Sequence, residues 1–241
     1  MRLKKLYYLF FLPGILAYQP ALPQEQPSDS LVPLLSCLEH YYGTDGLLAN
    51  GRLYDPANTR AARHPYFLAD EWAEGAVYVK GKCFSSLYLK YNLETGQLIL
   101  KQELQNGASA NVALTKVLVD SFRIGTHFFV NQSLLAAPVE RPPFIERIYS
   151  GEASLYRVQK KTFINTYSSR TPYGKFSDPE TTFFLEGGGE FREAPNRQAF
   201  LDFFSPHQKS VKRQMKQQGI RLKKATASEL ARLMEYCDKL E

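Results

Sequence analysis

Cysteine is scarce in this chain: Cys37, Cys83 and Cys237 are all it has in 241 residues. Residues so few and so scattered exclude a disulfide framework, and at most one bridge could form. The alternative reading is three small, buried, apolar side chains. Histidine is nearly as thin, and His40, His64, His127 and His207 offer no pair at metal-ligand spacing. Ser36, Ser85 and Ser121 lack the Gly-x-Ser-x-Gly turn that exposes a hydrolase nucleophile. Gly187, Gly188 and Gly189 invite a phosphate-loop reading, but no Gly-Lys-Ser/Thr follows; they are expected at a hairpin tip. Cys83 falls on an expected strand with no histidine neighbour to lower its pKa, so it is read as a core residue. These absences leave no catalytic residue, no metal ligand and no cofactor to assign.

Long apolar runs are missing too. The uncharged run over residues 6–17 falls short of the roughly 20 residues that span a bilayer, and Pro13-Gly14 interrupts it. Arg2, Lys4 and Lys5 precede the run, and Pro20, Pro23 and Pro27 follow it among polar residues. The order basic, apolar, polar is that of an export signal. Residues 1–22 are therefore expected to be removed. The mature protein is expected to be exported: periplasmic or outer-membrane-associated, rather than fully extracellular.

Charge of either sign is balanced over most of the chain. Residues 1–204 carry 21 basic and 20 acidic groups, whereas residues 205–241 carry nine basic and four acidic. Of the net charge of +6, all but one unit thus belongs to the carboxyl tail. Such a cluster attracts phosphates, acidic lipid headgroups or an acidic protein face. No aromatic residue is interleaved in the basic run over 209–224 for base stacking, so nucleic acid is not expected.

What is abundant is aromatic: 13% of residues are Phe, Tyr or Trp, which argues for a packed core. Residues 23–46 read as a polar linker and a short helix capped by Ser30. From residue 47 to 193 the pattern is of strands. Residues 67–72 and 76–79 are expected as short strands with a turn at Glu74-Gly75. Residues 84–91 and 97–102 are expected to pair through the turn at 92–96. A strand is expected over 112–124, turning at Gly125-Thr126 into 127–130. Another hairpin is expected over 144–163, a surface loop over 164–179, and a last hairpin around Gly187, Gly188 and Gly189. Turns at this spacing, with no crossover helices, imply an antiparallel sheet, either a sandwich or a partly closed barrel.

Residues 194–241 switch to helical spacing. Asn196 can cap one helix, Ser205-Pro206 can open a second that Gly219 ends, and Ser228 or Thr226 can open a third. In the third helix Leu230, Leu233, Met234, Cys237 and Leu240 make an apolar stripe. The fold class is therefore mainly β (α+β), with two or three carboxyl-terminal helices.

Several short motifs occur in order: Asn-Gly-Arg-Leu-Tyr at 50–54, His-Pro-Tyr-Phe at 64–67 with Trp72, Tyr-Leu-Lys-Tyr-Asn at 88–92, Glu-Arg-Ile-Tyr-Ser-Gly at 146–151, the aromatic segment 200–204, and Leu-Met-Glu-Tyr at 233–236. With these the chain resembles a group of uncharacterised exported proteins of Gram-negative bacteria. The resemblance implies an envelope setting and a strand-rich body with helices at the carboxyl end. It brings no catalytic residue.

Two polar clusters invite a function. His64, Asp70, Glu71 and Glu74 could serve as an acid-base or metal site only by converging. Strand geometry would send Asp70 and Glu71 to opposite faces, so a solvated turn is the expectation. The sharper cluster is basic: Lys209, Lys212, Arg213 and Lys216 share a helix face by their spacing, and Lys223 and Lys224 follow. A solvated helix face is the ordinary reading of such a cluster; the functional reading is that these six contact lipid headgroups or a partner, including peripheral contact with a membrane. The expected function is a non-enzymatic envelope protein that binds an apolar, lipid-like ligand or another envelope protein. A hydrolase with an unrecognised site and a structural subunit of an envelope assembly are the alternatives.

Overall fold

Alternation of apolar and polar residues builds a sheet in which nearly every strand pairs with its sequence neighbour. The computed structural model describes residues 51–103, 107–135, 142–194, 196–205 and 207–240. The expected signal at 1–22, the linker and short helix at 23–46, and Cys37 lie outside those residues. Eleven strands form one antiparallel sheet: β1 (Gly51–Leu53), β2 (Ala73–Val79), β3 (Lys82–Asn92), β4 (Gln97–Glu103), β5 (Ser109–Leu114), β6 (Val119–Ile124), β7 (His127–Asn131), β8 (Phe144–Tyr149), β9 (Ser154–Lys160), β12 (Glu180–Gly187) and β13 (Glu190–Ala194). Their order is β1-β5-β4-β3-β2-β6-β7-β8-β9-β12-β13. A separate two-residue pairing joins β10 (Phe163–Ile164) to β11 (Lys175–Phe176), across the segment 164–179 expected as a loop.

The sheet is open and does not close into a barrel. It nevertheless curls. Tyr91 on β3 and Phe144 on β8 are four strands apart, about 19 Å in a flat sheet. Yet their rings are 6.1 Å apart, and the Tyr91 hydroxyl donates to the Phe144 carbonyl at 3.3 Å. Phe122 and Phe129 stack at 4.6 Å between them. The two faces that a sandwich would draw from separate sheets thus come from one curled sheet, whose core includes Val77, Leu89, Leu100 and Ile124.

The hairpin between β3 and β4 forms as expected. Asn92 Oδ1 accepts from the backbone N–H groups of Glu94 and Thr95, and Gly96 takes a positive φ. The hairpins β6–β7, β8–β9 and β12–β13 also form as expected. Three expectations are corrected. Residues 67–72 are not a strand, and Glu74-Gly75 is not a turn; both residues lie inside β2. Gly75 is there because a Cβ would stand 2.0 Å from the Arg123 carbonyl oxygen on β6, and a bulge follows it. Residues 112–124 are not one strand. A single 3₁₀ turn, Lys116–Leu118, separates β5 from β6, held by the Asn131 side chain donating to the Lys116 and Val119 carbonyls. Cys83 is exposed on β3 rather than buried, whereas Cys237 is buried.

Three helices follow: α1 (Arg197–Phe203), α2 (Gln208–Gln217) and α3 (Ala227–Asp238). Asn196 caps α1 by accepting from the Ala199 N–H, and Thr226 with Glu229 forms a capping box on α3. His207, not Ser205, stands at the cap of α2, without a side-chain cap bond. The helices pack on β8, β9, β12 and β13. Phe200, Val211, Leu230, Leu233 and Met234 are fully buried there against Leu155 and Leu185. Each such side chain contributes about 1.5–3 kcal/mol of burial, so this second core holds the helical layer on the sheet.

Candidate functional site

The end of α2 makes a cleft. Gly219 takes φ +66°, and the Ile220 N–H bonds the Met215 carbonyl at 2.9 Å while the Gly219 N–H bonds that of Lys216 at 3.3 Å. This is a Schellman closure, which turns the chain back and points Ile220 inward. A 3₁₀ turn over Leu222–Lys224 follows and buries Leu222. Between this strap, α2, β12 and the start of α1 lies a cleft of about 710 Å³.

Its floor is apolar: Phe183, Ala194, Met215, Ile220 and Leu222 are all buried. Its rim carries Arg197, Lys212, Lys216, Arg221, Lys223 and Lys224, all exposed, and no acidic residue among the described residues lines it. None of the six has an ion-pair partner among the described residues. Unneutralised cations around an apolar floor present both halves of what an anionic amphiphile offers. Such a rim raises the local concentration of anions and is screened by salt.

Of the six basic residues singled out by spacing, the structure brings Lys212, Lys216, Lys223 and Lys224 together on this rim. Lys209 and Arg213 are exposed on α2 but do not line the cleft. Arg197 and Arg221 were missed. Arg221 lies two residues from Lys223 and could have been grouped with it. Arg197 sits at the start of another helix, where nothing in its neighbourhood points to this cleft.

The other expected cluster divides. His64 and Asp70 border a pocket of about 270 Å³, while Glu71 and Glu74 do not. Asp70 is ion-paired with Lys90. Among the described residues no group of three or more His, Cys, Asp or Glu side chains is placed to hold a metal. Gly188 and Gly189 have positive φ at the tip between β12 and β13, as a tight turn requires. His127 belongs to a buried network: its Nδ1 is 2.7 Å from Glu146 Oε1, and Arg157 Nε donates to Glu146 Oε2 at 2.7 Å.

No helix among the described residues is long and apolar enough to cross a membrane. No protein-family model, characterised protein or solved structure matches the chain.

Proposed function

We propose that this chain is a non-enzymatic, exported envelope protein that binds a single-chain anionic amphiphile in the cleft behind α2. The acyl tail lies on Met215, Ile220, Leu222 and Phe183, and the headgroup meets the rim cations. The observation that carries this reading is the conjunction, among the described residues, of a buried apolar floor with six unpaired cations and no acidic residue. The cleft volume lies in the range of small-molecule sites. Each buried methylene contributes about 0.8 kcal/mol, so the tail supplies the affinity and the headgroup selects sign. The envelope setting is supported by the basic, apolar, polar order at the amino end.

The test holds the tail constant and varies the head. Dodecanoate, dodecyl maltoside and dodecyltrimethylammonium are titrated below their micelle concentrations by calorimetry. Dodecanoate binds tightest, and the cationic analogue binds weakest. Equal binding of all three, or none by dodecanoate, overturns the reading. Fractionation of cells carrying the tagged full chain checks the setting, which fails if the protein stays in the cytoplasm uncleaved.

A further inference from the structure

Far along the sheet from α2, a second pocket is built with more constraint than its neighbours need. We propose that it binds a single neutral sugar residue. Its walls include Tyr54, His64, Tyr66, Asp70, Trp72 and Asn111, and its volume is about 270 Å³. At about 30 Å³ per molecule of liquid water, that is room for a molecule of hexose size.

The loop that forms it is held in a costly shape. Asn58, Arg63 and Leu68 all take positive φ, between 56° and 66°, where side chains with a Cβ are strained. Main-chain bonds pin it to the rest of the fold. Phe67 N–H donates to the Tyr91 carbonyl at 2.8 Å, Leu93 N–H to that of Pro65 at 2.9 Å, and Phe176 N–H to that of Ala62 at 3.0 Å. The buried Lys161 ammonium donates to the carbonyls of His64 and Tyr66 at 2.9 and 3.0 Å. Strain fixed this firmly is spent on presenting side chains.

Those side chains suit hydroxyl groups and a sugar's apolar face. Lys90 Nζ stands 4.7 Å from the Tyr66 ring centroid and 5.0 Å from that of Trp72, so one cation lies against both rings. His64 Nδ1 is buried, and no hydrogen bond of ordinary geometry reaches it. Burial and the nearby Lys161 hold the imidazole below its ordinary pKa, so it presents one donor and one acceptor. Tyr54 adds a hydroxyl that already accepts from Asn92 Nδ2 at 3.0 Å.

Charge decides for a neutral ligand. The two cations at the pocket, Lys90 and Arg63, are already paired with Asp70 and Asp178. The Lys161 ammonium is bound by the His64 and Tyr66 carbonyls and does not line the pocket, so an anion finds no unneutralised cation on the pocket wall and meets Asp70; a cation meets Lys90. Aromatic walls with donors and acceptors of balanced sign are what a neutral polyol engages.

Trp72 is the only tryptophan in the chain, so its emission reports on this pocket alone. The intact protein is titrated with methyl glycosides of glucose, galactose, mannose and N-acetylglucosamine, and with glucuronate, glucosamine and inorganic phosphate. Saturation-transfer NMR on the same ligands gives a readout independent of Trp72. At least one neutral glycoside gives a saturable emission shift and receives saturation. Glucuronate, glucosamine and phosphate bind more weakly by about tenfold or more, as the desolvation of a charge with no free counter-charge implies. In His64→Gln and Tyr54→Phe, each checked for native circular dichroism, the neutral ligand loses about tenfold in affinity. Absence of any neutral binder, tighter binding of phosphate or glucuronate, or undiminished binding in a folded variant overturns the proposal.

Discussion

The Tyr149 hydroxyl donates to Asp238 Oδ2 at 2.9 Å, joining the end of β8 to the last turn of α3 across 89 positions of sequence. The same carboxylate accepts from the backbone N–H groups of Glu152 and Ala153 at 3.2 and 3.3 Å, so one side chain clasps the β8–β9 turn. Gly151 makes room for it: a Cβ there would stand 1.8 Å from Asp238 Oδ2. Gly151→Ala is expected to cost about 1–3 kcal/mol, lowering Tm by about 2–4 °C per kcal/mol in a protein of this size. Asp238→Ala is expected to cost a similar amount, and the two losses should not add, because both release one clasp. Thermal melts of the two single variants and the double variant check this; additive losses would refute the shared clasp.

Glu146 is buried between His127 and Arg157, with only 3% of its side chain exposed. Removing one member of a buried charged network strands the other. Glu146→Gln is expected to lose about 2–4 kcal/mol, discounted from the fully buried case because Arg157 and His127 keep some solvent. Urea unfolding with an unchanged m-value measures it; a loss under 1 kcal/mol, well below about 2 kcal/mol, would show the network to be solvated.

His64 makes stability depend on mildly acidic pH. Its folded pKa lies below the ordinary 6.5, first because burial disfavours the imidazolium and then because Lys161 repels it. As pH falls, the unfolded chain takes up this proton first. Stability is therefore lost from about pH 6.5 down to the lower folded value, and no further below it. Comparison of Tm against pH for the native chain and His64→Gln isolates this step from the carboxylates. The native chain should fall more steeply between neutral and mildly acidic pH; parallel curves would contradict the assignment.

The rim of the α2 cleft separates two sets of cations by position. The double reversal of Lys212 and Lys216 to Glu should weaken dodecanoate by about tenfold or more, while reversal of Lys209 and Arg213, on the same helix but off the rim, should change it about threefold or less. Raising the salt concentration should weaken the native complex more than the Lys212→Glu/Lys216→Glu complex, whose rim keeps only a small net positive charge. If both pairs of reversals act alike, the effect is one of overall charge, not of this cleft.

Local chemistry made much of the fold readable. Asn92 and Gly96 announce the β3–β4 turn, Asn196 and Thr226 announce two helix starts, and Gly219 announces the end of α2. Each acts through its own backbone or that of residues within a few positions. Gly75 misled for the complementary reason. Taken alone it signals a turn, but it is required inside a strand by Arg123, which lies far along the chain. The alternation over 112–124 misled likewise, because the bond from Asn131 that breaks the strand comes from another element.

Strand content, antiparallel pairing, the helical carboxyl end and the basic bias of that end follow from the amino-acid order by itself, since periodicity, turn chemistry and charge are properties of neighbouring residues. Tertiary structure alone decided that the sheet curls until Tyr91 meets Phe144, that Arg197 joins Lys212 and Lys223 around an apolar floor, and that His64 and Trp72 share a pocket while Glu71 and Glu74 stay outside it. Those outcomes depend on which distant surfaces fit and on which side chains lose water together, and no local window of sequence records either.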